Sequence, residues 1–181
     1  MYHVWVEQAV DLGWVPGPEV FWLSHFDQWL PLQIYLLIVR GEGKTVLVNC
    51  GPPWDYLDRM NAVWREELGE RSPMTVAPDQ QIEAILARHG STPGAVDMVI
   101  VTPLQAYAIG NIDKFSRATI ALSRTGWEDL VAPRVFDPRR HMAVPDRLRR
   151  EANILISPYD PATGTRFPRG QWVGGSAEIT E

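Results

Sequence analysis

The sequence predicts an α/β fold with a layered core. Three observations carry this expectation: a glycine-turned hairpin of β-branched and aromatic residues before residue 50, two amphipathic helical stretches between residues 55 and 90, and an apolar run from Val96 to Val101 after them. Strand, helix, helix and strand in that order are what a helix-covered sheet requires. The 181 residues, 45% hydrophobic and 22% charged, suffice for one domain with a core and leave no room for an independent second.

The elements follow in chain order. Tyr2 to Val6 alternates as a strand, Gly13 to Pro18 is a turn-rich break, and Phe21-Trp22-Leu23 restarts an extended run. Ile34 to Arg40, the turn Gly41-Glu42-Gly43-Lys44 and the return Thr45 to Val48 form the clearest hairpin. Two prolines in Asn49-Cys50-Gly51-Pro52-Pro53 end the pairing and start a loop. Tyr56, Leu57, Met60, Val63 and Trp64 make an i, i+3/i+4 stripe that predicts a helix over Asp55 to Glu70. Asp79 is placed to cap a second helix, Gln80 to His89, with Ile82, Ile85 and Leu86 inward and Gly90 as the stop. Val96 to Val101 reads as a central strand covered on both faces. Ala118 to Leu122 is a further strand, Trp127 to Val131 and Val144 to Ala152 are helical, and Ile154 to Ile156 is extended before a Pro- and Gly-rich tail.

Charge and cysteine content narrow the classes. A net charge of -5 is the wrong sign for tracking phosphates, so nucleic acid is not an expected partner. Apolar stretches such as Ile34 to Val39 fall far short of the ~20 residues of a membrane helix. The lone Cys50 and an amino terminus without a signal pattern point to a reducing cytoplasm. Eight tryptophans are many for this length, and aromatic rings concentrate at the buried centres of interfaces.

The opening Tyr2 to Val6, the hairpin Tyr35 to Gly51, the helix ending at Gly90, the strand into Val99-Ile100-Val101-Thr102, Gly110 to Phe115 and Ala118-Thr119-Ile120 stand in the order and spacing of a known family. The chain resembles the metallo-β-lactamase fold, and within it the N-acyl homoserine lactonase-like metallohydrolases. The resemblance runs over nearly the whole chain and implies an αββα sandwich of two mixed sheets with helices outside.

That family holds its metals with Thr-His-x-His-x-Asp-His followed by x-Gly-Asn. Here the stretch reads Thr102-Pro103-Leu104-Gln105-Ala106-Tyr107-Ala108-Ile109-Gly110-Asn111. The resemblance places the first-metal histidines on Pro103 and Gln105, the second-metal Asp on Tyr107 and its His on Ala108, and the family's Asp-x-Gly on Asn49-Cys50-Gly51. Zinc asks for imidazole, thiolate or carboxylate at about 2.0–2.3 Å, and proline and alanine have no lone pair to give. Gln105 offers a neutral amide, and Tyr107 would have to ionise from a pKa near 10. Tyr107 beside the small Ala108 is expected to fill space that metals and water hold in active relatives. The family's second half, opening with a Gly-His-Thr-Pro-Gly-like turn, finds no counterpart here, which implies a single domain, 1–181, that is the amino-terminal half or a degenerate version of the sandwich, incomplete at its carboxyl end.

Other sites weigh less. His25 and Asp27, two apart, could pair as base and orienter, although such a spacing is common by chance. Cys50 follows a strand in a turn, yet a small cysteine there is more often a buried apolar residue than a nucleophile. His89 suits a helix carboxyl terminus; His3 and His141 read as surface residues. Arg134, Arg139, Arg140, Arg147, Arg149 and Arg150 form a dense basic cluster that is either a solvated face or a match for an acidic patch.

The expectation is a non-catalytic subunit that supports or regulates a metal-competent hydrolase of the same fold. No cofactor is expected in this chain; zinc or another divalent metal belongs to an intact partner. The competing readings are a lactonase-like hydrolase with a site rebuilt from His25, Asp27, Tyr107 or Cys50, and a small-ligand binder using Trp22, Trp29 and Tyr107.

Overall fold

The computed structural model describes residues 1–68, 70–71, 73–124 and the segments 154–157, 159–160, 165–166 and 171–173. Its main element is a seven-stranded sheet. β1 (His3–Pro16), β2 (Trp29–Gly41) and β3 (Lys44–Val48) form an antiparallel meander. β4 (Met98–Ile100), β5 (Thr119–Ser123) and β6 (Ile154–Ser157) then run parallel to β3, and β9 (Gln171–Val173) closes the far edge antiparallel to β6. β7 (Tyr159–Asp160) and β8 (Thr165–Arg166) make a separate two-stranded ribbon.

β1 does not break at Gly13. It absorbs the glycine through register shifts between Gln8 and Val10 and between Asp11 and Trp14. Gly13 sits at φ +66, where an added Cβ would lie 2.9 Å from the Arg71 carbonyl, so glycine is what keeps the strand continuous there. Phe21-Trp22-Leu23 is not extended: it lies in a tight turn after the single helical turn α1 (Gly17–Val20), with Leu23 and His25 left-handed at φ 52 and 57. β2 therefore begins at Trp29, earlier than the Ile34 that residue type suggested.

The first long helix, α2 (Leu57–Leu68), is preceded by a 3-10 turn over Trp54–Tyr56. Met60 is buried, and Tyr56, Leu57 and Trp64 pack on the core as the stripe predicted. Asp79 is not a cap. It lies inside a 3-10 turn, Pro78–Gln80, where Gln80 Oε1 accepts the Ala77 N–H at 2.8 Å, and α3 (Ile82–Arg88) starts after Gln81. The helices expected at 127–131 and 144–152, the basic cluster from Arg134 to Arg150 and His141 lie outside the described residues. No helix among the described residues is long and apolar enough to cross a membrane.

Side-chain alternation divides the sheet into two unlike faces. Ile38, Leu47, Val99 and Ile120 sit opposite one another across β2 to β5 and are buried against Met60, Ile82, Ile85, Leu86 and Phe115. Each such side chain contributes about 1.5–3 kcal/mol by leaving water. On the other face Val4 opposes Val39, Val6 opposes Leu37, Leu37 opposes Val48 and Val48 opposes Ile100; none of these belongs to the core. Val4, Val6 and Ile100 are 56%, 62% and 38% exposed. The expectation of a strand covered on both faces is thus corrected: in β4 Val99 is covered and Ile100 is open.

Candidate functional site

The site that the sequence singles out lies at the carboxyl ends of β3 and β4. Two segments meet there, Asn49 to Pro53 after β3 and the stretch from Thr102 through α4 (Ala106–Ile109) to Asn111. Main-chain bonds lock them together. The Asn49 N–H donates to the Ile100 carbonyl at 2.8 Å, and the Cys50 and Gly51 N–H groups converge on the Ala108 carbonyl at 2.8 and 2.9 Å. Gly51 is left-handed at φ +70, with an added Cβ 3.2 Å from that of Ala9.

Two asparagines finish the lock. Asn49, left-handed at φ 64, donates through Nδ2 to the Thr102 carbonyl at 2.5 Å and accepts the Thr102 N–H through Oδ1 at 2.8 Å. Asn111 donates through Nδ2 to the carbonyls of Cys50 and Pro52 at 3.1 and 2.6 Å; its buried Oδ1 has no hydrogen-bond partner. The Thr102–Pro103 peptide bond is cis.

The structure therefore brings Asn49, Cys50, Pro103, Gln105, Tyr107 and Ala108 into one loop pair. Their chemistry does not fit a zinc ion. Pro103 and Ala108 have no donor atom, and Ala108 is 1% exposed, its methyl turned into the core. Gln105 supplies only an amide, while Tyr107 is half-buried with its ring 6.5 Å from that of Trp64, tilted at 54°. Among the described residues no group of three or more His, Cys, Asp and Glu side chains is placed to hold a metal. No catalytic step can be built through a metal on these groups.

The alternative residues do not assemble either. Cys50 is fully buried, and desolvation pushes its thiol far above the ordinary range, with only weak opposition from the Asn111 backbone and Lys114. Burial in the core and a thiol held neutral both favour the core-residue reading of Cys50 over the nucleophile one. His25 and Asp27 are exposed in the turn between α1 and β2, where the His25 ring pairs with Ser24 Oγ at 2.8 Å and packs on Phe21 at 4.7 Å. Trp22 is 86% exposed, Trp29 lies under the Arg71 guanidinium at 5.1 Å, and Tyr107 faces Trp64, so these three do not line one pocket. A cleft of about 730 Å³ lies at the opposite end of the sheet, lined by Lys44, Val46, Asp97, Met98, Arg117 and Thr119 among others.

One cluster escaped the sequence reading. Glu7 on β1 takes His89 Nε2 and Arg88 Nη2, each at 2.6 Å, while Arg40 donates to the His89 carbonyl at 2.7 Å and Trp5 tilts against the His89 ring at 4.9 Å. Burial acts to raise the Glu7 carboxyl, but the hydrogen bonds and charges of His89 and Arg88 outweigh it and hold the group below the ordinary carboxylate value. His89 does cap α3, yet its ring serves to tie that helix to the edge strand. Glu7 and His89 are 82 residues apart, and nothing local in the sequence signals the pair.

No family model and no curated protein matches the sequence. Solved structures do match the fold. An N-acyl homoserine lactone hydrolase with its product N-hexanoyl-L-homoserine at the catalytic metal centre aligns with a TM-score of 0.62 at 16% identity, over 84% of this chain and 58% of that one. A quorum-quenching N-acyl homoserine lactone lactonase aligns at 0.60 and 16%, over 84% and 55%. A probable metal-dependent hydrolase from Staphylococcus aureus aligns at 0.57 and 15%, over 80% and 54%. The chain spans less than three-fifths of the length of each. It carries the metallo-β-lactamase fold, and its fold neighbours are lactonases and metal-dependent hydrolases.

Proposed function

We propose that this chain is a non-catalytic member of its fold, a subunit that supports or regulates a metal-competent hydrolase of the same fold in a hetero-oligomer, working in the cytoplasm through its surfaces. One observation carries the reading: at the carboxyl ends of β3 and β4, the place where the family motif falls, the side chains are Pro103, Gln105, Tyr107 and Ala108, and the loops are held by amide hydrogen bonds from Asn49 and Asn111. A loop braced by its own amides keeps its shape without an ion, so loss of the ligands does not cost it the fold. Any zinc or other divalent metal then belongs to the partner, whose activity the pair would display.

The test is a paired measurement on the purified chain: metal content by plasma emission after incubation with zinc, and turnover of N-hexanoyl homoserine lactone. Absence of both supports the reading. Lactone opening by this chain, abolished by a substitution in the Asn49 to Asn111 loops, would replace it with a hydrolase carrying a rebuilt site.

A further inference from the structure

Beyond the last β1–β2 pair, Pro16 with Trp29, residues 17–28 form a turn that gives no residue to the hydrophobic core. Its neck is closed by the Gly17 N–H donating to the Gln28 carbonyl at 2.8 Å, and its tip is braced by the Ser24 N–H on the Phe21 carbonyl at 3.0 Å and the Gln28 N–H on the His25 carbonyl at 3.1 Å. A Cβ on Gly17 would lie 2.2 Å from the His25 carbonyl oxygen, so glycine is what lets the tip fold back this far. Leu23 and His25 hold the left-handed backbone that side chains rarely adopt. What this shaped turn presents to water is apolar. Trp22, Leu23 and Phe26 are 86%, 69% and 71% exposed, with Phe21 half exposed beside them. Clustered apolar side chains of this size in water mark a contact surface.

We infer that this turn is a membrane-surface anchor, which seats its aromatic tip among the headgroups of a zwitterionic, phosphatidylcholine-type bilayer. Charge selects the occupant. From Val20 to Phe26 there is no Asp, Glu, Lys or Arg, and the two polar side chains of the tip, Ser24 and His25, bond each other at 2.8 Å. Exposed carboxylates bracket this stretch at Glu19 and Asp27, and no Lys or Arg precedes Arg40 in the chain. At the base of the turn Arg71 stands over the Trp29 ring at 5.1 Å. An anionic lipid surface repels the two carboxylates, whereas the quaternary ammonium of phosphatidylcholine is attracted both by them and by the faces of aromatic rings.

The shape agrees with the charge. Tryptophan settles where headgroups meet hydrocarbon, and a fluid lipid surface accepts bulky side chains at neighbouring positions such as Phe21, Trp22 and Leu23 without a pocket cut for each. Resting on the surface in this way takes apolar side chains at the interface and no spanning helix. The inference is independent of the catalytic reading: a chain that hydrolyses lactones would overturn the proposed function and leave the anchor standing.

The experiment is co-sedimentation of the full chain with vesicles of pure dioleoylphosphatidylcholine and of that lipid mixed with phosphatidylserine, against a lipid-free control. The variants are the double substitution Trp22→Ala with Phe26→Ala, at two exposed positions, and Trp54→Ala, an exposed tryptophan outside the turn, with far-UV circular dichroism to establish that each is folded. The expected result is partition onto the neutral vesicles that falls at least about tenfold in the double variant, since each ring gains roughly that factor by leaving water, and that is unchanged in Trp54→Ala. Brominated phosphatidylcholine should also quench the fluorescence of the native chain more than that of Trp22→Phe, a comparison that stays readable if the double variant fails to fold. No partition onto neutral vesicles overturns the inference, including the case in which the turn docks on another protein. Partition that the double variant retains overturns it by placing the contact on another surface, and partition that requires phosphatidylserine overturns it by reversing the headgroup preference.

Discussion

Asn49 grips both main-chain groups of Thr102, donating to its carbonyl and accepting its N–H. A side-chain amide can do both at once, whereas an ionised carboxylate has no proton to donate. Asn49→Asp keeps the shape and the accepted bond but sets two oxygens against each other where a hydrogen bond stood. We expect a loss of about 2–3 kcal/mol at pH 7, the cost of a charged group left unpaired at a nearly buried position. The introduced carboxyl is raised in the folded state, so the deficit grows as pH rises above the unfolded value of about 3.9 and shrinks below it. Urea midpoints for both proteins at pH 3.5 and pH 7 measure this; equal deficits at the two would contradict the clamp.

Ala108 lies in the loop pair after β4, and its methyl is packed into the core. Ala108→His adds a polar ring to a filled space, and we expect a destabilisation of more than about 2 kcal/mol. Zinc should not recover it, because Pro103 and Gln105 still offer no imidazole. The check is differential scanning fluorimetry with and without zinc, where a zinc-dependent rise in melting temperature would reverse the conclusion.

Cys50 provides a direct reading of the same loop from inside. Its thiol is buried and held neutral, so an aromatic disulfide reagent should label it only after unfolding. Rapid stoichiometric labelling of the native chain at pH 8 would return Cys50 to the list of candidate nucleophiles.

Glu7 predicts an acid limit to stability. Its carboxyl is depressed in the folded state, so its contribution is complete above the unfolded value of about 4.3 and disappears as pH falls through the folded value below that. Glu7→Gln should lower stability at pH 7 by about 1–2 kcal/mol and have little effect near pH 3. Chemical denaturation at the two pH values tests the sign as well as the size.

The β2–β3 hairpin and the helix faces were legible because periodicity reports burial, and burial is what folded Ile38, Leu47, Val99 and Ile120 onto one side; the order of the strands in the sheet was not. Strand ends were less so: at Gly13 a bulge overrode a residue that punctuates turns elsewhere, and at Asp79 a proline-led 3-10 turn took the place of a cap. That Pro103, Gln105, Tyr107 and Ala108 fall together after β4 followed from their closeness in sequence. The two-point grip of Asn49 did not, because it depends on an amide meeting a peptide 53 residues away. Nor could Glu7 be paired with His89, since long-range ion pairs leave no periodic trace.

The change from antiparallel to parallel pairing at β3 orders the folding of the chain. The β2–β3 turn closes Gly41 onto Lys44, whereas β3 meets β4 only after a detour of 52 residues through α2 and α3. Closing the long loop before any contact rewards it is the slower event, so the meander is the natural nucleus and the parallel strands are added to it. Substitutions in the Gly41 to Lys44 turn should therefore slow folding, while those in β4 should chiefly hasten unfolding.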